Sequence, residues 1–73
     1  MIYVAIKLIL DKALEQRNVS RYRLSKLTET DYQIIDNYYK NKVVRYDSYI
    51  LNKICNCLDC DISDIIAFEK DDF

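Results

Sequence analysis

The chain has 73 residues, of which 51% are hydrophobic and 32% charged, with a formal net charge of −1. That is one small domain over residues 1–73, too apolar to stay disordered. It contains no Gly, Pro, His or Trp. This argues against an all-β design and removes the commonest general base and metal ligand, and no run approaches the roughly 18 apolar residues of a membrane span.

From Val4 to Arg17, Ile6, Ile9 or Leu10, Ala13 and Leu14 recur at helical spacing and predict a first helix with one buried stripe. The apolar start, Met1–Ile6, is interrupted by Lys7 and Asp11 and carries no cleavage pattern, so it does not read as a signal peptide. Asn18 suits the left-handed geometry that ends a helix. Ser20 is an N-cap for a second helix over Arg21–Leu27, with Leu24 and Leu27 as its apolar residues. Thr28-Glu29-Thr30 breaks the pattern. Asp31 then caps a third helix over Tyr32–Lys40, whose inward residues are Ile35 and Tyr38, with Ile34 or Tyr39 at the margin.

Asn41–Tyr46 reads as a basic loop, and Asp47 caps a fourth helix over Ser48–Leu58 with Leu51, Ile54, Cys55 and Leu58 inward. Asp61 and Asp64 resemble a capping box that starts a last helix through Ile62, Ile65 and Ile66. The expected fold class is all-α: a compact bundle of about five short helices centred on Leu24, Leu27, Ile35, Leu51, Ile54 and Leu58.

Charge is unevenly distributed along this bundle. Residues 1–16 balance, residues 17–45 carry a net +4, and residues 46–73 carry a net −5. A basic middle with an acidic end gives one positive face, and a nucleic acid responds to the face rather than to the total.

The strings SRYRLSKLTETDYQIIDNYYKNK (Ser20–Lys42) and LNKICNCLDCDISDII (Leu51–Ile66) resemble the Xre family, the Cro and lambda-repressor type of helix-turn-helix, over roughly residues 6–67. The resemblance is to its minimal single-domain bacterial or phage regulators. It implies that the second crossing helix lies in the major groove of double-stranded DNA while the first lies across the backbone. Tyr32, Gln33, Asp36 and Asn37 would then form the outward reading face, with Gln33 and Asn37 able to pair bidentately with adenine. Ser20, Arg21, Arg23, Lys40, Lys42 and Arg45 would hold phosphates. The same resemblance implies a cytoplasmic transcriptional regulator, a repressor, bound as a homodimer to a two-fold operator.

Two residues depart from the family pattern. Glu29 stands where a turn Gly is common, and left-handed geometry there costs roughly 1 kcal/mol. Asp36 sits in the middle of the reading face, where it repels phosphate unless it meets a cytosine amino group or a neighbouring Arg.

Other readings of the residues are weaker. The seven tyrosines suggest base stacking, but Tyr38 falls on a buried phase and Tyr22, Tyr46 and Tyr49 are expected to seam helices. Cys55, Cys57 and Cys60 do not form a disulfide framework, which reads as a reducing compartment. Without a fourth ligand they close no structural zinc site. No nucleophile elbow or phosphate-binding glycine loop is present, so neither an enzyme nor a cofactor is expected. Dimer contacts are expected outside the basic middle, through Met1–Ile6 or the last helix around Ile66 and Phe68. The rival reading is a protein-interaction module such as an antirepressor, an antitoxin-like partner or an inhibitor, favoured by Asp36, the acidic end and the net −1.

Overall fold

Three side chains that can accept a hydrogen bond from the backbone start three helices. In the computed structural model, which describes residues 4–70, the Ser20 hydroxyl accepts from Arg23 N–H, the Asp31 carboxylate from Gln33 N–H and the Asp47 carboxylate from Tyr49 N–H. They open α2 (Arg21–Leu27), α3 (Tyr32–Tyr39) and α4 (Ser48–Leu58), and α1 (Leu10–Arg17) precedes them. Behind each helix stands one left-handed residue: Asn18, Glu29, Asn41 or Asp59, with φ between 52° and 58°. The next amide reaches back five residues, Val19 to Leu14, Thr30 to Ser25, Lys42 to Asn37 and Cys60 to Cys55, at 2.9–3.1 Å.

The all-α expectation is corrected at both ends. Val4–Leu8 is a strand, β1, and Ile66–Lys70 is a second, β2, paired antiparallel with Ile6 opposite Phe68 and Leu8 opposite Ile66. The first helix therefore starts at Leu10 rather than Val4. The expected last helix is only a 3-10 turn over Ile62–Asp64, with Asp64 Oδ2 accepting Asp61 N–H at 3.0 Å. Among the described residues, four α-helices, not five, make the bundle. A short apolar run such as VAIKL fits either period, and its strand partner lies about sixty residues away, beyond the reach of local pattern.

Leu8, Leu10, Ala13, Leu14, Leu24, Ile35, Tyr38, Ile54, Leu58 and Ile65 form the core. Leu24, Ile35, Ile54 and Leu58 lie where the apolar spacing puts them, while Leu51 is half-buried at the margin. Leu27 is a correction, being 49% exposed. On α2 the buried residues are Leu24 and Ser25, with Thr28 beyond, and Leu27 sits roughly 100° round the helix from their mean direction. Two hydrogen bonds tie the strand ribbon to the bundle: Leu8 N–H to Asn41 Oδ1 at 2.9 Å and Tyr46 O–H to the Ile6 carbonyl at 3.3 Å.

Truncating a fully buried side chain leaves a cavity, so Leu24→Ala or Ile54→Ala should each lower stability by roughly 2–5 kcal/mol. Leu27→Ala should cost less than about 1 kcal/mol, because its side chain already meets water. Urea unfolding of the three variants checks this order.

Candidate nucleic-acid interface

Residues Thr28–Asp31 join α2 to α3, and their backbone is shaped by side-chain hydroxyls. Thr28 donates to the Leu24 carbonyl at 2.7 Å, and Ser25, buried, donates to the Tyr22 carbonyl at 2.6 Å. Both hydroxyls are therefore satisfied within α2. Glu29 takes the left-handed position at φ 52°, as its place in the turn implies.

The strongest polar contact in this region centres on Asp36. Expected on the outward reading face, it is buried, and its side chain is only 10% exposed. One carboxylate oxygen meets the Arg21 guanidinium at 2.6 Å, and the other meets Lys40 Nζ at 3.0 Å. Arg21 also stacks over the Tyr39 ring, 4.4 Å from its centroid. The hydrogen bond from Lys40 holds the Asp36 carboxyl below its ordinary pKa against the opposing effect of burial, and Arg21 adds to it. The Asp36 hydrogen bond in turn raises the Arg21 pKa. Asp36 is thus a correction to the reading face: its carboxylate holds the first residue of α2 to the last turn of α3. The i, i+4 spacing to Lys40 was visible in the sequence. The contact with Arg21 exists only once the helices cross.

What remains outward on α3 is Tyr32, Gln33 and Asn37. Tyr32 is exposed at the first turn. Gln33 Nε2 donates to Asn37 Oδ1 at 3.2 Å across one turn. Gln33 is exposed and Asn37 half-buried, and the bond leaves the Gln33 carbonyl and the Asn37 amide group without a partner among the described residues. Beyond the helix end, Lys42 and Arg45 are exposed on the α3–α4 loop, and Arg23 is exposed beside the Ser20 cap; none makes an ion pair among the described residues. Two groupings of the expected site residues thus emerge, an outer amide pair with Tyr32 and an inner cluster of Arg21, Asp36 and Lys40. Tyr39, which the sequence places at the margin of the core and, with Tyr32, among the candidates for phosphate or thymine-methyl contact, is the platform under Arg21.

Two of the tyrosines expected to seam helices do not. Tyr22 and Tyr49 are more than 60% exposed and lie under Lys26 and Lys53. Tyr46 does pack inward, 6.5 Å from Tyr38. Cys55 and Cys60 are half-buried and Cys57 is exposed. Burial raises the Cys60 thiol above its ordinary pKa, and the adjacent Cys55 adds to this. Among the described residues no group of three or more His, Cys, Asp or Glu is placed to hold a metal ion, and no helix is long and apolar enough to cross a membrane.

Two short helices crossing at a tight turn, the second carrying exposed amides flanked by cations, define a helix-turn-helix. Residues 9–71 match the Cro/C1-type HTH DNA-binding domain, and the chain belongs to that family. It is accordingly a DNA-binding protein of the Cro/C1 type of transcription regulator. Comparison with curated proteins and with solved structures finds no match.

Because the Asp36 pKa is depressed in the folded chain, its ion pairs add stability above the ordinary carboxylate value of about 3.9. That stability is lost as pH falls through the lower folded value. Thermal melts from about pH 2 to pH 7 should show wild type more stable than Asp36→Asn near neutrality, with the two curves converging at the acid end.

Proposed function

We propose that the protein is a sequence-specific binder of double-stranded DNA that represses transcription by occupying its operator, with α3 as the recognition helix in the major groove. The observation that carries this reading is the hydrogen-bonded Gln33–Asn37 pair exposed on α3. A helix held in the groove by cations at both ends needs such amides to read base edges, since phosphates carry no sequence information. Gln33 and Asn37 read adenine, and Tyr32 contacts a base edge or thymine methyl at the first turn. Ser20, Arg21 and Arg23 hold phosphates on one side of the helix, and Lys40, Lys42 and Arg45 do so on the other. Asp36 has no part in base reading. Its carboxylate orients Arg21 and Lys40 instead, and with its charge met by two cations it presents no repulsion to the DNA backbone. Of the three features that favour a protein-interaction module, Asp36 no longer does so.

A domain that reads only a few base pairs gains specificity by binding as a homodimer to half-sites about one helical turn apart. Among the described residues, the exposed apolar side chains nearest the ends are Ile6 and Phe68, and they are the surface for that dimer.

Titration of variants against specific and scrambled duplexes over a salt series tests the division of labour. Asn37→Ala should cost roughly 1–3 kcal/mol on the preferred site and much less on random DNA. Lys42→Ala should weaken both about equally and reduce the salt slope by about one unit. If both variants matched wild type on every duplex, α3 would not be the recognition helix.

A further inference from the structure

Three cysteines crowd the end of α4, and the turn that stops the helix sorts them into a pair and a single thiol. Asp59 takes left-handed geometry there, at φ 52°, and the Cys55 carbonyl accepts from both Asp59 N–H and Cys60 N–H, the second at 3.1 Å. In such a turn the side chain two residues past the helix packs back on the helix's last turn. Here both side chains are cysteines. The bond also limits their separation. Adding about 1.5 Å from N to Cα and about 2.4 Å from Cα to carbonyl oxygen to that 3.1 Å keeps the two Cα atoms within roughly 7 Å, the limit for a bridge. Burial raises the Cys60 thiol pKa, and the Cys55 side chain, within hydrogen-bonding reach, raises it further. Cys57 is placed otherwise. It lies about 200° round α4 from Cys55 and gives its S–H to the Leu27 carbonyl of α2 at 3.4 Å.

We propose that Cys55 and Cys60 are a thiol-modification site, closing to a reversible intrachain disulfide when a small disulfide of the glutathione class oxidises them. Cys55 is the point of entry. It is half-buried and lines a surface cleft with Leu51, Asn52 and Ile62. Burial keeps Cys60 protonated and makes it the second thiol to react. The Cys55 thiolate attacks one sulfur of the oxidant, forms a mixed disulfide and expels a first small thiolate, which takes the proton of Cys60. Cys60 Sγ then attacks Cys55 Sγ and expels the second small thiolate, which takes up the proton that Cys55 had released. Two protein thiols are thus oxidised to one disulfide, and one small disulfide is reduced to two small thiols. The bond spans the left-handed Asp59 and fastens the end of α4 in its native turn. Under reducing conditions the site rests as two thiols. None of the residues that read or hold DNA takes part, so the site stands or falls separately from that reading.

The variants Cys57→Ser, Cys60→Ser and Cys55→Ser each leave one pair of thiols. Each is equilibrated in buffers of reduced and oxidised glutathione, alkylated and weighed by mass spectrometry. Cys57→Ser should close its internal bond at an oxidant level about tenfold lower than either of the others. Dithiothreitol should return the closed form to two thiols. In urea that unfolds the chain the advantage should shrink, because the turn that sets Cys55 beside Cys60 is gone. Equal closure in the three variants, or an advantage undiminished in urea, would overturn the proposal. Should a variant fail to fold, the wild-type chain decides. Cleavage before Asp59 separates Cys60 from Cys55 and Cys57. Fragments joined through Cys55, with Cys57 alkylated, support the pair; a bond through Cys57, or no bond, overturns it.

Discussion

Where α2 crosses α3, the Asp36 carboxylate lies between Arg21 and Lys40, and the geometry of the outer face depends on that contact. Helices of seven and eight residues have little stability of their own. Leu24 and Ile35 bury their inner faces in the common core, and hydrophobic contact alone is non-directional. The Asp36 oxygens add direction by joining the N-terminus of one helix to the C-terminal turn of the other. Tyr39 confines the guanidinium from a second side. One carboxylate shared by two cations leaves the cluster net positive, so a group that is acidic in the sequence acts in the fold as a holder of basic residues.

A second set of contacts extends this order to the ribbon. Asn41 ends α3 in left-handed geometry and also accepts the Leu8 amide with its side chain. Tyr46, from the same loop, reaches the Ile6 carbonyl and packs on Tyr38, whose hydroxyl accepts Asp47 N–H at 3.0 Å. The loop that carries Lys42 and Arg45 is thus fastened to β1, to the core and to the cap of α4. Its cations stand on a braced backbone rather than on a free one.

Features decided within a few residues were legible in the sequence. Ser20, Asp31 and Asp47 cap the helices they precede, Asn18 ends α1, and Glu29 takes the left-handed turn position, because each role needs only neighbours. Gln33 and Asn37 were expected on one outward face from the family resemblance, and in the fold a hydrogen bond joins them across one turn. Features decided by distant partners were not. Val4–Leu8 becomes a strand because Ile66–Lys70 lies beside it, and Asp36 turns inward because Arg21 arrives from another helix. Leu27 misled for a subtler reason. Ser25 and Thr28 are small and polar, yet they occupy the inner side of α2 with their hydroxyls bonded to the helix's own carbonyls.

The left-handed residues behind the four helices carry a thermodynamic consequence for the denatured chain. Glycine is the residue that loses most backbone freedom on folding, and this sequence has none. Asn18, Glu29, Asn41 and Asp59 instead accept a conformation that non-glycine residues disfavour by roughly 1–2 kcal/mol each, eased for Asn and Asp by local hydrogen bonding. The opposing costs fall in different states. Strain is concentrated at four helix ends of the native protein, while the unfolded ensemble has fewer conformations to gain. Opening of the native state is thereby directed toward the helix termini, where releasing a left-handed residue relaxes strain before any core side chain must meet water.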